Sequence, residues 1–258
     1  LLRQDGERRG VVVLERRQEG KNRGRQDGRA HEGHQHMPEH LRVGSAEVER
    51  RLLLRAVEAL QAGQTDQHGI GRDEGGLAED GQHPRSMVIS CCDSRVHVTS
   101  IFGADQGEFF IHRNIANLVP PFNPDGHHHG TSAAVEYAIT GLKVAHLIVL
   151  GHSGCGGVEG CYNMCSGKAP ELEEASSFVG RWMDILRPGY ERVKNLGSRE
   201  EQIVALEREG VLVSLENLMS FPFVREAVEG ETMSIHGLWN DIGDGSLLYF
   251  DPEHADWR

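Results

Sequence analysis

All fifteen aromatic side chains of this 258-residue chain lie at or beyond Phe102. Aromatic and branched aliphatic groups supply much of the apolar area that offsets chain entropy on folding. A stretch without aromatics, crowded instead with Gly, Arg, Gln and His, has little to fold around. Residues 1–36 show neither a period of 2 nor one of 3.6 and read as disordered. A helix is expected over about residues 46–61, where Val48, Leu52, Leu53, Val57 and Leu60 fall near helical spacing. The composition then changes abruptly near Leu77. Residues 1–76 form a low-complexity segment, read either as a flexible tail or as a stretch outside the native frame. Residues 77–258 form the folded domain, and any chemistry must lie there.

Charge follows the same division. The first eighty residues carry 14 basic against 15 acidic side chains, so nearly all of the net charge of −12 lies downstream. So acidic a domain is a poor surface for nucleic acid or an anionic membrane. The longest apolar run, residues 144–150, is far too short for a membrane span and contains His146. Residues 11–14 are too short for the apolar core of a signal peptide. Five cysteines are too few, and odd in number, for a disulfide framework. They favour metal or thiol chemistry in a reducing compartment, so a cytoplasmic location is expected.

From Met87 onward, short apolar runs alternate with helical patterns. Strands are expected at residues 87–90 ending in Cys91, at 108–112, and at 144–150 ending in Gly151-His152. Residues 131–142 place Ala134, Tyr137, Ala138 and Leu142 on one helical face. Further helices are expected over 154–164 and 176–186. Ser198 and Glu201 make a capping box that opens a long helix towards Leu218. Its charged stretch, residues 199–209, reads as a solvated face. Residues 232–239 and 246–250, joined by a turn-rich 240–245, read as a hairpin. The implied class is α/β, with a mainly parallel central sheet flanked by helices and a C-terminal hairpin or helical extension. Function in such sheets gathers at the carboxyl ends of strands, where Cys91 and His152 sit.

Two clusters there carry chemistry: Cys91-Cys92-Asp93-Ser94-Arg95 and His152-Ser153-Gly154-Cys155. Zinc takes thiolate and imidazole ligands, and a catalytic zinc keeps three protein ligands and one open position. A glycine turn folds His152 and Cys155 onto one metal, and Cys91 at a neighbouring strand end completes the set. Cys92 should then face the other way. Asp93 is read as the acceptor of the nucleophile's proton, held in place and ionised by Arg95. A plain structural ion pair is the other reading of Asp-x-Arg.

These two clusters, with Phe110-Ile-His-Arg113-Asn114-Ile-Ala-Asn117-Leu-Val-Pro120, resemble the signature segments of the β-class carbonic anhydrases. The resemblance runs from about Leu77 to near the C-terminus. It implies one zinc ion per chain, reversible hydration of carbon dioxide to bicarbonate by a zinc-bound hydroxide, and a homodimer or higher homo-oligomer. The resemblance extends to the plant-like, open-site subtype. Members of that subtype carry a glutamine nine residues before the first zinc cysteine and a tyrosine fifteen before the zinc histidine, where Gln82 and Tyr137 stand here. Phe110 and Ile115 fall where the subtype lines its small apolar pocket, and Gly156 is placed in the same substrate site. A second subtype uses a tryptophan three residues before the first cysteine in a non-catalytic bicarbonate site. Val88 occupies that position, and Arg113 alone does not restore the site. Family members begin with helices that lie across a partner subunit, and residues 1–76 do not resemble that arm.

Rival readings stay open at this point. A relative acting on carbon disulfide or carbonyl sulfide would use the same ligands. A non-catalytic zinc or anion-binding protein would need a fourth protein ligand, and no use for Asp93, Arg95 and Gln82. His127-His128-His129 reads as a solvated loop, and Cys161 and Cys165 read as small buried groups on one helix face.

Overall fold

The computed structural model describes residues 81–125 and 129–258. The low-complexity segment, the helix expected over 46–61, His127 and His128 lie outside the described residues. Within them the strands are β1 (Ser86–Cys91), β2 (Phe109–Asn114), β3 (His146–His152), β4 (Ser234–Asn240), β5 (Leu247–Asp251) and β6 (Asp256–Trp257). They form a six-stranded sheet in the order β2-β1-β3-β4-β5-β6. The first four strands run parallel, and β5 and β6 add antiparallel pairs. The expected hairpin is β4–β5, and its first strand is also the fourth parallel strand of the main sheet.

Burial explains the strand sequences. Strand β1 is buried along its whole length and β3 from Leu147 onward, as inner parallel strands covered on both faces must be. Met87, Ile89, Leu147 and Val149 pack in one core cluster, while Val88, Ile148 and Leu150 pack in another with Phe102. This is the two-residue alternation of a strand between two layers. Strand β2 is only partly buried and pairs on one side alone among the described residues.

The helices are α1 (Val98–Phe102), α2 (Gly130–Glu136), α3 (Gly156–Cys165), α4 (Phe178–Met183), α5 (Arg187–Val193), α6 (Arg199–Leu218) and α7 (Pro222–Glu229). The helix expected over 131–142 changes pitch after α2. Residues Tyr137–Gly141 form a π-helical turn, and the Leu142 N–H donates to the Tyr137 carbonyl. The capping box at α6 forms as read: the Ser198 side chain accepts the Glu201 N–H, and Glu201 accepts the Ser198 N–H. The expectation of a solvated face over residues 199–209 is corrected here, because Glu207 and Glu209 are both buried. Helix α6 packs on the sheet at Glu207 and on α5 at Glu209, where Arg192 donates to the carboxylate at 2.8 Å. An ideal Cβ at Gly151 would lie 2.6 Å from the Val211 Cγ2, and one at Gly237 would lie 2.9 Å from the Val211 Cγ1.

The strand order also locates the site. After β1 the chain moves to one side of it to make β2, then crosses back to make β3 on the other side. The carboxyl ends of β1 and β3 therefore flank a topological switch point, where open α/β sheets leave a crevice.

Candidate metal centre

Cys91 is the last residue of β1, His152 the last of β3, and Cys155 the residue before α3. Gly154, at a φ of +64°, turns the chain between His152 and Cys155. A left-handed residue there suits glycine, which has no Cβ to strain. The three ligand atoms lie within 4.8 Å of one another, and the two sulfurs are 3.9 Å apart. All three residues are buried, at 4%, 1% and 2% exposure. No fourth His, Cys or carboxylate among the described residues joins them. Cys92 points away and is exposed, as the alternation required.

The imidazole is set for a metal. Its Nδ1 lies 2.9 Å from the Ser153 carbonyl, which can only accept, so the ring proton sits on Nδ1. Nε2 is left with a lone pair, buried and without a hydrogen-bond partner among the described residues. A buried acceptor left bare is costly unless a bound group such as a metal ion engages it. Ser153 is itself moored: its hydroxyl donates to the Asp241 Oδ1 at 3.0 Å and accepts the Ile242 N–H at 2.9 Å.

The thiols fit the same conclusion. Cys91 is pulled down to about 4, chiefly by the hydrogen bond from the Cys155 thiol. Burial opposes that shift, while the backbone N–H groups of Asp93 and Ala116 assist it. Both N–H donors lie 3.4 Å from the sulfur. Cys155 is pushed up, because its proton is shared with Cys91 and burial disfavours a second charge beside the first. A dication resolves that conflict by neutralising both thiolates. The residues present therefore fit zinc: two sulfurs, one bare imidazole nitrogen and an open fourth position.

Asp93 and Arg95 bind each other across the mouth of this cluster. Arg95 donates from Nε to Oδ1 at 2.9 Å and from Nη2 to Oδ2 at 2.7 Å, and its backbone N–H adds a bond to Oδ1 at 2.9 Å. These contacts hold the Asp93 carboxyl well below the usual carboxylate range. The same Nη2 donates to the Gly154 carbonyl at 2.9 Å, tying the pair to the turn that carries Cys155.

Four further residues shape the site, and sequence reading gave none of them this role. The Glu207 carboxylate, from α6, accepts the Cys155 backbone N–H at 3.2 Å. Burial raises its pKa. Its signal in sequence was an acidic residue among apolar ones on a long helix, which spacing alone does not separate from a solvated one. Ser153 and Ala116 act through backbone geometry. Ala116, at a φ of 61°, turns its N–H onto Cys91. Arg113 donates to the carbonyls of Cys91, Asp93 and Val96 at 2.9, 2.7 and 2.9 Å, so its guanidinium clamps the first cluster's backbone.

The remaining predicted residues fall into two groups. Phe110 packs against Tyr137, with ring centroids 5.8 Å apart, and Tyr137 and Ile115 are largely exposed. Gly156 opens α3, and Ile115 approaches the adjacent Gly157 so closely that a Cβ there would lie 2.7 Å from its Cγ2. Gln82 is exposed before β1. Val88 is buried in the core.

Comparison with known proteins gives one answer. A family model described as carbonic anhydrase matches residues 86–247. The chain is 41% identical over 180 residues to beta carbonic anhydrase 3 of Arabidopsis thaliana, covering 69% of this chain and 67% of that one. Among solved structures, the β-carbonic anhydrase CcaA superposes with a TM-score of 0.65 at 28% identity, covering 82% of this chain and 92% of that one. A tetrameric β-carbonic anhydrase from Sordaria macrospora gives 0.57 at 28% identity, covering 80% and 97%.

Proposed function

Because the chain belongs to the β-class carbonic anhydrase family, whose reaction is zinc-dependent hydration of carbon dioxide, we propose how its own residues divide that work. Cys91, His152 and Cys155 hold one zinc ion per chain. When bound, zinc supplies a Lewis acid that makes water a nucleophile near neutral pH. Asp93 accepts the nucleophile's proton in a hydrogen bond and so aims its lone pair at the substrate. Arg95 keeps that carboxylate ionised and fixed through its two-pronged contact. Phe110, Ile115 and Tyr137 line a small apolar pocket suited to an uncharged linear substrate. Gly156 leaves room beside it and brings a first-turn N–H of α3 towards the charge that develops on bicarbonate. Gln82, placed by its spacing from Cys91, donates to a bicarbonate oxygen, with Tyr137 in support.

The observation that carries this reading is the donor set itself: three buried ligand atoms and no fourth among the described residues, beside a carboxylate engaged by Arg95. A structural zinc needs the fourth protein ligand and has no use for that pair. Stopped-flow hydration at pH 7 and pH 8.5, on zinc-quantified protein, tests the reading. Rapid hydration with about one zinc per chain is expected. Cys155→Ser is expected to lose both metal and rate. Asp93→Asn is expected to keep the metal and lose roughly a hundredfold or more of the rate, the range of a positioned acid–base group. Zinc-loaded protein without hydration refutes it.

The catalytic domain in this reading is residues 77–258. The assembly is a homodimer or higher homo-oligomer. Supporting it are the one-sided pairing of β2 among the described residues, the exposed Ile111 on that strand, and a Sordaria macrospora relative described as tetrameric. We place the protein in the cytoplasm, where its five free cysteines stay reduced. No helix among the described residues is long and apolar enough to cross a membrane.

A further inference from the structure

Cys161 and Cys165 lie one turn apart on α3, with their sulfurs 3.9 Å apart. That is the separation of the Cys91 and Cys155 sulfurs in the metal centre. Two Zn–S bonds of about 2.3 Å at a tetrahedral angle also place sulfurs roughly 3.8 Å apart. The second pair thus has the bite of a chelate while taking no part in carbon dioxide hydration.

Three features of the pair narrow what it can take. A disulfide needs Cβ atoms about 3.5–4.5 Å apart. Helical neighbours at i and i+4 hold theirs roughly 5–6 Å apart, so oxidation must deform the last turn of α3. A bridging atom spans the gap without moving the helix. No third His, Cys or carboxylate ligand joins the two sulfurs among the described residues, so the bound centre must bring its own remaining valence. Access is one-sided: Cys161 is fully buried, whereas Cys165, the last residue of α3, is partly exposed.

Around the partly exposed sulfur, Arg187 favours charge while burial, Asp184 and Glu173 oppose it, so the second thiol decides. Arg187, Asp184, Glu173 and Tyr190 all face the pair. Arg187 is itself paired to Asp184 at 2.5 Å and to Glu173 at 2.9 Å. The hydrogen bond from the Cys161 thiol lowers the pKa of Cys165, while Cys161 keeps its proton. The partly exposed sulfur is the readier nucleophile, with the second thiol held beside it.

We propose that Cys161 and Cys165 form a second thiolate site, distinct from the zinc centre, that captures a soft trivalent arsenical as a two-sulfur bridge. Arsenic in that state takes three bonds, so two thiolates and one substituent of its own complete it. With phenylarsine oxide, Cys165 forms the first S–As bond and Cys161 closes the ring. The two thiol protons leave with the oxide oxygen as one water molecule, and no atom changes oxidation state. Soft thiolates select such centres over oxygen-preferring ions.

The test uses zinc-loaded, full-length protein treated with phenylarsine oxide. Native mass spectrometry and zinc quantification follow a wash with glutathione, which strips single-thiolate adducts such as one on exposed Cys92. One phenylarsenic bridge per chain with zinc retained is expected, reversed by 2,3-dimercaptopropanol. Cys165→Ser, at a partly exposed position, should keep its zinc and its circular dichroism and lose the bridge. Cys161→Ala should lose it too. A bridge that persists in Cys165→Ser, or that appears only as zinc is lost, overturns the proposal because the arsenical has then taken Cys91 and Cys155. Absence of any glutathione-resistant adduct on the folded wild type overturns it as well.

Discussion

Gly151 sits one residue before His152, and its missing side chain lets α6 reach the candidate metal site. In Gly151→Ala the new Cβ would lie 2.6 Å from the Val211 Cγ2. Carbon atoms rest about 3.5–4.0 Å apart, so something must retreat by roughly 1 Å. Val211 is buried and β-branched on a helix, where one rotamer dominates, so its methyl group has no easy way out. The helix must shift instead. Overpacking of this kind costs about 1–3 kcal/mol. At roughly 2–4 °C per kcal/mol for a domain of this size, Tm falls by about 2–12 °C. Glu207 stands one turn before Val211, on the face of α6 that meets the site. A retreat of about 1 Å takes its 3.2 Å contact with the Cys155 N–H beyond hydrogen-bonding range. Thermal unfolding of the zinc-loaded variant should therefore show the lower Tm, and transfer of zinc to a chelating dye should be faster. Val211→Ala removes the obstructing methyl groups. The double variant should be less damaged than the two single changes predict, by about 0.5–3 kcal/mol. Strict additivity, or a Gly151→Ala protein melting with the wild type, would show that α6 does not press on this glycine.

Two further outcomes follow from buried polar groups. Glu207→Gln keeps an acceptor for the Cys155 N–H and should retain zinc. Glu207→Leu leaves that buried donor bare at about 1–3 kcal/mol, so zinc affinity measured by competition should drop roughly 5- to 150-fold. Equal retention by both variants refutes the positioning role. His236, at the opposite end of the sheet, is buried and pulled down to about 3, first by burial and then by neighbouring His146. The two rings share the Ser234 hydroxyl at 2.7 and 2.8 Å. Since an unfolded histidine titrates near 6.5, the unfolded chain binds the extra proton between about pH 6.5 and 3, and stability falls with acid by up to roughly 1.4 kcal/mol per pH unit. Urea unfolding from pH 7 to pH 4 should show a shallower loss in His236→Gln. His146, also lowered by burial and then by Arg85, supplies the slope that remains. An unchanged slope refutes the assignment.

Sequence makes some parts of this protein legible and hides others, and the division is physical. β1, β3 and the capping box on α6 could be read because apolar runs and the Ser198–Glu201 pair are local signals. Cys91, His152 and Cys155 were legible because thiolate and imidazole at strand ends have few other uses. Glu207 was not, since its role depends on a contact 52 residues away in the chain. Nor was the approach of α6 to Gly151, which exists only after both elements are placed. The backbone at Ala116 was hidden for another reason. Its positive φ is imposed by the turn after β2, and alanine carries no mark of it. Arg113 was read only as insufficient for a bicarbonate site, because its three carbonyl contacts, which serve the loop beside Cys91, arise only once β2 lies next to β1.

The open fourth position depends on which partner Asp93 keeps. The carboxylate is adjacent to the cluster, ionised and capable of binding a metal. Two side-chain bonds and one backbone bond from Arg95 engage it, and the Gly154 contact anchors the guanidinium to the turn between His152 and Cys155. The three bonds from Arg95 must break before Asp93 can swing, and the Gly154 contact keeps the guanidinium where it can re-form them. Arg95→Lys retains the positive charge but loses the fork, since an ammonium is a point donor that cannot span both carboxylate oxygens. A freed carboxylate then competes with hydroxide for the open position. Hydroxide gains with rising pH, whereas Asp93, ionised throughout the working range, does not. The loss of hydration in Arg95→Lys should therefore be greatest near pH 7 and shrink towards pH 9, at constant zinc content. A loss in equal proportion at every pH would mean that Arg95 acts only by aligning Asp93, not by keeping it off the metal.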